Sequence, residues 1–118
     1  LDLQRVTREV SAVTGACLMV ERSVFEAVGG FDEELEVSGN DVDFCMRVAA
    51  TGRRVLWTPH SRLVHHESRS RGSVPYVPDQ ARLWERWEAM LRSGDPCFNP
   101  NLDADRADCD LDWGRLDT

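Results

Sequence analysis

The chain has 118 residues, enough for one domain that buries roughly two thirds of its unfolded surface. Its composition, 42% apolar and 30% charged, is that of an ordinary soluble globular protein, and no apolar run approaches the roughly 18 to 20 residues of a membrane span. A net charge of −7 argues against general binding to nucleic acid.

The first predicted elements are a strand and a short helix. Residues 10–20, VSAVTGACLMV, form a near-continuous apolar run with Gly15 in the middle, which is typical of a buried strand that kinks at the glycine. Ser23 is a good N-cap, and Glu26 three residues later completes a capping box. These signals predict a helix over residues 24–28, which a pair of glycines ends.

A second helix is predicted after an acidic loop over residues 31–39. From Asp41 onward, apolar residues recur at helical spacing, and Gly52 ends the pattern. The apolar positions are Phe44, Cys45, Val48 and Ala49. Residues 26–43 carry seven acids and no base, so the helix begins in the most acidic part of the chain.

Two short strands and a third helix complete the predicted elements. The strands cover residues 55–57 and 63–66, and a basic loop over residues 68–78 follows them. Asp79 is predicted to cap the third helix, and the tail over residues 96–118 has little periodicity. The helix carries an apolar stripe predicted to pack in the core: Leu83, Trp84, Trp87, Met90 and Leu91.

These elements predict an α/β fold with a small mixed sheet, about three helices and an irregular C-terminal tail. An α/β sheet normally needs more strands to cover both of its faces. We therefore expect either a fragment or a sheet completed by association, as in a homo-oligomer. The chain begins with Leu1 rather than Met, which favours a piece of a longer polypeptide.

The cysteines predict a reducing, cytoplasmic environment. None of the four forms a C-x-x-C pair, so a zinc site is not expected. Cys17 and Cys45 lie inside apolar runs, and we expect mostly buried, reduced thiols.

Two carboxylates, Asp41 and Asp43, lie at the mouth of the second helix. Carboxylates there are stabilised by unpaired N–H groups and by the helix dipole, each interaction contributing roughly 0.3 to 1 kcal/mol. Each helical residue turns the side chain by about 100°, so the two acids point apart and are expected to have separate roles. One can cap the helix while the other faces a cleft as a proton acceptor. An Asp-x-Asp pair can also hold a metal, although a place at a helix start argues against it here.

The basic loop supplies groups suited to an anion. Residues 53–72 hold five arginines against one acid, together with all three histidines. Neighbouring strand residues face opposite sides, so only one of His65 and His66 can look into a given cleft. The loop that follows adds Glu67, Ser68, Ser70 and Arg71. Such residues can bind phosphate oxygens and complete the shell of Mg²⁺ or Mn²⁺, although a solvated loop would have the same composition.

Several short motifs follow one another along the chain. The segments are VTGACLMV at 13–20, VGGFDE at 28–33, GNDVDFC at 39–45, WTP at 57–59, HHES at 65–68, SRG at 70–72, DP at 95–96 and NPNL at 99–102. In this order they resemble the C-terminal, acceptor-side half of bacterial family-2 inverting glycosyltransferases of the polysaccharide and O-antigen kind, and the agreement runs from about residue 10 to residue 110.

The resemblance implies a partial glycosyltransferase A fold. Residues 1–78 would form the acceptor-side half with a mobile loop near 67–78, and residues 79–118 would form the C-terminal helix and tail of the same domain. The parent would transfer a sugar, with inversion, from a nucleotide-sugar donor to a hydroxyl of a glycan or lipid-linked acceptor. It would use Mg²⁺ or Mn²⁺ in the cytoplasm or at the inner face of the membrane, in cell-surface polysaccharide synthesis.

The resemblance also implies roles for individual residues. Asp41 matches the catalytic base, and Asn40 stands where many relatives have Glu. His66 matches the histidine that helps hold the metal and the donor diphosphate. The turn that would lie near the reacting sugar comprises Thr14, Gly15 and Ala16, and the arm over the donor comprises Glu67, Ser68, Ser70 and Arg71. Nothing resembles the family's donor-binding strands, so the chain alone is expected to be inactive.

Two other interpretations of the residues stay open. One is a non-catalytic dimerisation or interaction module, in which the unfinished sheet and the tryptophan-bearing helix form the contact surface. The other is a metal-dependent hydrolase that uses Asp41, Asp43, His65 and His66.

Overall fold

The computed structural model describes residues 3–66, 77–100 and 102. Within them, three α-helices accompany one small sheet. The elements in chain order are a 3₁₀ turn at Leu3–Arg5, β1 at Arg8–Glu9, a 3₁₀ turn at Gly15–Cys17, α1 at Arg22–Ala27, α2 at Asn40–Ala50, β2 at Leu56–Trp57 and α3 at Val77–Ser93.

The predicted small α/β layer with about three helices is confirmed. The proposed division at residue 78 stays a prediction, and the loop at 67–76 and the tail beyond 102 lie outside the described residues.

The described sheet has two antiparallel strands. Arg8 pairs with Trp57 and Glu9 with Leu56, and the N–H of Val10 donates to the carbonyl of Val55 at 3.0 Å. The predicted strand at residues 55–57 is therefore confirmed at Leu56–Trp57.

The strands predicted at residues 10–20 and 63–66 are wrong. The first segment passes from β1 into the 3₁₀ turn at Gly15–Cys17, and the second belongs to no regular element. Apolar patterning alone does not make a strand, because its backbone N–H and C=O groups also need a neighbouring strand. Among the described residues, the sheet contains only β1 and β2, and the 10–20 segment adds to it only the hydrogen bond from Val10 to Val55.

The core lies between α1 and α2. Phe44 and Val48 of α2 pack with Val24 of α1, and all three are buried. Phe44 also contacts the rings of Phe25 and Phe31, with centroids 5.5 Å and 4.9 Å away. The apolar spacing predicted this face of α2 correctly, except that Ala49 is exposed.

The predicted capping box of α1 is wrong. The helix begins at Arg22 with Glu21 as its N-cap, and no side chain caps it, so Ser23 lies inside the first turn. The backbone N–H groups of Val24 and Phe25 donate to the Glu21 carbonyl, both at 3.0 Å, and fix the start of the helix before Ser23. The predicted glycine stop is confirmed, because the N–H of Gly30 closes the last turn on the Phe25 carbonyl at 2.9 Å.

Replacing Gly30 by Ala is expected to destabilise the fold more than replacing Gly29 by Ala. Both glycines have positive φ, 81° at Gly29 and 70° at Gly30, so each alanine carries a left-handed penalty of roughly 1–2 kcal/mol. At Gly30 the new Cβ would lie 3.0 Å from Cζ of Phe25, whereas at Gly29 nothing lies within 4 Å. Overpacking at Gly30 adds roughly 1–3 kcal/mol. Urea unfolding of the two variants measures the difference, and equal losses would contradict the packing argument.

The second helix begins where predicted, and Gly39 explains how. Its φ of 77° turns the chain into the helix, and the N–H of Asp43 donates to its carbonyl at 2.8 Å. A Cβ at Gly39 would lie 3.2 Å from Cδ2 of Leu83, so glycine also lets α3 approach closely. No side chain caps α2 at this N-cap residue.

Asp79 does not cap its own helix, contrary to the prediction. The helix begins two residues earlier, at Val77, and the buried Asp79 carboxylate crosses to the acidic loop instead. It accepts hydrogen bonds from three consecutive backbone N–H groups, those of Glu36 at 3.3 Å, Val37 at 2.7 Å and Ser38 at 2.8 Å. Consequently α3 holds the loop that leads into α2. None of the helices in the described part of the chain has the length and apolar character needed to cross a membrane.

Candidate functional site

Asp41 lies in the first turn of α2 with a half-buried side chain. Its Oδ2 accepts a hydrogen bond from the N–H of Gly15 at 2.8 Å, and its Oδ1 accepts one from the N–H of Val42 at 2.9 Å. The carboxylate therefore satisfies one orphan N–H of the helix and reaches across to a second segment. Asn40, the first residue of α2, is half-buried beside it.

The second segment is the predicted turn of residues 14–16. The Thr14 hydroxyl accepts a hydrogen bond from the N–H of Ala16 at 3.3 Å and thereby shapes the 3₁₀ turn. A Cβ at Gly15 would lie 3.4 Å from Cβ and 3.7 Å from Oδ2 of Asp41, so a side chain there would cover one edge of the carboxylate. The structure thus brings Asp41 and this turn together.

Asp43, two residues along the helix, points away from Asp41 into the protein and is 0% exposed. It accepts hydrogen bonds from Nε of Arg47 at 2.8 Å, Nη1 of Arg86 at 2.8 Å and Nε1 of Trp87 at 2.9 Å. Burial acts to raise the pKa of Asp43, but the hydrogen bonds from Trp87, Arg86 and Arg47 outweigh it and hold the pKa below its ordinary value. Asp43 is therefore an ionised structural group, and the two acids point apart as predicted, while the role of Asp41 stays a prediction.

The histidines lie at the edge of the described chain. His65 and His66 are both exposed and outside any strand, so the argument that they face opposite sides of a sheet no longer applies. The remaining predicted donor-arm residues lie outside the described residues: Glu67, Ser68, Ser70 and Arg71.

The predicted metal role can be compared with the described donors. Residues 3–66, 77–100 and 102 contain no cluster of three His, Cys, Asp or Glu side chains arranged to hold a metal ion. Both oxygens of Asp41 accept backbone hydrogen bonds, and both oxygens of Asp43 face guanidinium groups. This arrangement disfavours the hydrolase interpretation, which needs Asp43 as a ligand. The imidazole of His66 is exposed, and the metal role that the resemblance implies for it stays a prediction.

A cavity of about 620 Å³ opens beside the turn of residues 14–16. Its walls include Phe44 of α2, Trp57 of β2 and the hydroxyl-bearing Ser61. Cys17 lies on its rim, exposed, with Sγ 3.6 Å from Oγ of Ser61. The prediction of a buried Cys17 is wrong because it depended on a strand that does not form, whereas Cys45 is buried as predicted.

Sequence reasoning missed the contribution of α3. Arg86 and Trp87 both reach Asp43, and Arg86 also pairs with Asp32 through Nη2 at 2.7 Å. A signal was present, because Arg86 falls three residues after Leu83 and therefore on the same helical face as the apolar stripe.

Known proteins share much of this sequence. The model of glycosyl transferase family group 2 matches residues 2–91. The uncharacterized protein y4gI of Sinorhizobium fredii is 41% identical over 88% of the chain and 12% of its own length. The O-antigen biosynthesis protein RfbC of Myxococcus xanthus is 42% identical over 89% of the chain and 8% of its own length. An N-acetylglucosaminyl-diphospho-decaprenol L-rhamnosyltransferase of Mycobacterium tuberculosis is 37% identical over 76% of the chain and 33% of its own length. The chain spans a third or less of these relatives. No solved structure matches it significantly.

Proposed function

The chain belongs to glycosyl transferase family group 2, and on that premise we propose that it is the acceptor-side part of an inverting sugar transferase. The donor is a nucleotide-sugar, and the acceptor is a hydroxyl of a glycan or a lipid-linked sugar. One relative is named an O-antigen biosynthesis protein and another an N-acetylglucosaminyl-diphospho-decaprenol L-rhamnosyltransferase, which supports a role in cell-surface polysaccharide synthesis. We propose a cytoplasmic location, at the inner face of the membrane.

The observation that carries the proposal is the setting of Asp41. A carboxylate has about four lone-pair sites, and the N–H groups of Gly15 and Val42 use two of them. The remaining sites can accept the proton of an alcohol that approaches the turn of residues 14–16. A general base must come within about 3 Å of that proton, and the Asp41 side chain is only half-buried, beside a turn that lines a cavity.

The proposed reaction is a single displacement. The acceptor oxygen attacks the anomeric carbon while its proton passes to the Asp41 carboxylate. The bond from the anomeric carbon to the phosphate oxygen breaks, and its electron pair leaves with the nucleoside diphosphate. A carboxylate is a weak base toward an alcohol, so the orientation of the two groups must supply much of the acceleration.

The leaving diphosphate needs its charge neutralised. We propose that Mg²⁺ or Mn²⁺ would supply this positive charge and that His66 would help to hold the ion. The arm over the donor would comprise Glu67, Ser68, Ser70 and Arg71. His66 is exposed, which suits contact with a substrate.

The alternative is a non-catalytic interaction module. It is compatible with the exposure of large apolar side chains, since Met19 is 98% and Val64 is 78% exposed. A module of this kind would self-associate or bind a partner without binding nucleotide-sugars, so solution mass and nucleotide-sugar binding distinguish the two functions.

Sugar transfer by the full-length protein tests the proposal. With labelled nucleotide diphosphate sugars and membrane-extracted acceptors, we expect transfer by the full-length protein and none by the 118-residue chain alone. Transfer by the isolated chain would contradict the assignment to the acceptor side. The absence of both transfer and donor binding in the full-length protein would contradict the sugar-transferase function itself.

A further inference from the structure

The buried Asp43 joins four parts of the chain close to Asp41. Arg47, from its own helix, also donates through Nη2 to the carbonyl of Gly30 at 2.7 Å and through Nη1 to that of Val28, at the end of α1. Arg86, from α3, bridges Asp43 to Asp32 in the acidic loop. A buried carboxylate that pairs with two guanidiniums and an indole N–H fixes the relative orientation of the segments that carry these groups.

The start of α2 lacks a capping side chain at its N-cap position. Its N-cap residue is Gly39, which supplies no side-chain hydrogen bond. The loop before it is instead held by Asp79 of α3 through residues 36–38. Two of the contacts that hold this end of the helix from outside, at Asp43 and through the loop, therefore come from α3, and a third is the hydrogen bond from the N–H of Gly15 to Asp41.

The backbone of α3 departs from helical geometry where it reaches Asp43. At Trp87 it has φ −115° and ψ 16°, inside a segment that is otherwise helical. The indole Nε1 of the same residue lies 2.9 Å from Oδ1 of Asp43. Indole has a single polar atom, and in Trp87 that atom donates its hydrogen bond to the Asp43 carboxylate.

The roll of α2 about its axis decides where Asp41 points. Side-chain ends lie about 5 to 6 Å from a helix axis, so a roll of about 10° moves a carboxylate by about 1 Å. A misplacement of about 1 Å can cost about a hundredfold in rate. Asp41 and Asp43 are on the same rigid turn, so a contact that fixes Asp43 also fixes Asp41.

We propose that Asp43, Arg86 and Trp87 form a positioning site for the catalytic base: α3 sets the roll of α2 and thereby aims the Asp41 carboxylate at the acceptor. Asp43 touches no substrate and acts through Asp41. This inference rests on the proposed function, because it needs Asp41 to be the base.

The test uses Trp87→Phe in the full-length enzyme, which keeps an aromatic ring but removes the N–H donor. The matched control is Trp84→Phe on the same helix, because Trp84 is 47% exposed and packs beside Arg92 rather than Asp43. We expect Trp87→Phe to lower kcat by at least about tenfold with little change in KM for the donor, and Trp84→Phe to stay within about twofold of the parent. Equal kcat values for the two variants would overturn the proposal.

A second measurement separates positioning from general damage. In an Asp41→Asn background the residual rate no longer depends on how the base is aimed, so Trp87→Phe should change it by less than about twofold. The same tenfold loss in both backgrounds would overturn the positioning role and leave the proposed function intact. Full activity of Asp41→Asn alone would remove the base assignment, and this inference with it.

Discussion

Replacing Asp41 by Asn in the full-length enzyme is expected to lower kcat by about 10²–10⁴-fold, the usual contribution of a general base. Asparagine keeps the shape of the side chain and can still accept one of the two backbone hydrogen bonds, from Gly15 or Val42. It cannot take the proton of the acceptor hydroxyl at neutral pH. Initial rates of sugar transfer measure the effect, with donor affinity determined separately by equilibrium binding.

The binding measurement decides what Asp41 does. Unchanged donor affinity with a low kcat is the signature of a group that acts on the acceptor proton. An equal loss of donor affinity would show that Asp41 holds the metal or the diphosphate instead. Glu33→Gln is a suitable control, because Glu33 is an exposed carboxylate in the loop before α2, and it should leave both quantities unchanged.

The parts of the fold that are predictable from sequence depend on local chemistry. The apolar spacing of Phe44 and Val48 follows from the turn of a helix, and Gly39 and Gly52 mark its ends through positive φ. The divergence of Asp41 and Asp43 follows from the same geometry. The approach of Gly15 to Asp41, in contrast, could be expected only from the resemblance to the glycosyltransferases, because the spacing of the residues does not predict it.

The errors concern partners that are distant in sequence. An apolar run such as residues 10–20 has the composition of a strand, but pairing requires a neighbour that the run itself cannot specify. Asp79 has the composition of a cap, yet its carboxylate meets residues 36–38, about forty positions earlier. Trp84, predicted in the core, is 47% exposed, and its ring lies under the guanidinium of Arg92 instead.

Removing the Asp43 side chain is expected to destabilise the fold strongly. Asp43→Ala leaves the guanidiniums of Arg47 and Arg86 facing each other without their shared counter-charge. Breaking a buried pair costs roughly 3–5 kcal/mol, and we expect the low end, about 3 kcal/mol, because Arg86 is 37% exposed and water can solvate it. Against a typical stability of about 5–15 kcal/mol this is a large fraction.

The same carboxylate makes the fold sensitive to acid. The folded state holds the pKa of Asp43 below its ordinary value, so in acid the unfolded chain binds more protons than the folded one. The stabilisation is complete above about pH 5 and is lost as the pH falls through about 3.9 toward the folded-state pKa. Urea unfolding between pH 7 and pH 3 should therefore show a falling free energy of unfolding, and the fall should be shallower in Asp43→Ala.

A matched variant tests whether the burial of Asp43 causes both the loss of stability in Asp43→Ala and the sensitivity to acid. Glu88 pairs with Arg92 at the same spacing of four residues as Asp43 with Arg47, also at 2.8 Å, but its side chain is 52% exposed against 0% for Asp43. Glu88→Ala should cost no more than about 0.5 kcal/mol and leave the acid dependence unchanged, because water screens an exposed pair. Similar losses from the two variants would contradict the argument, since the charge pairing would then matter and the burial would not.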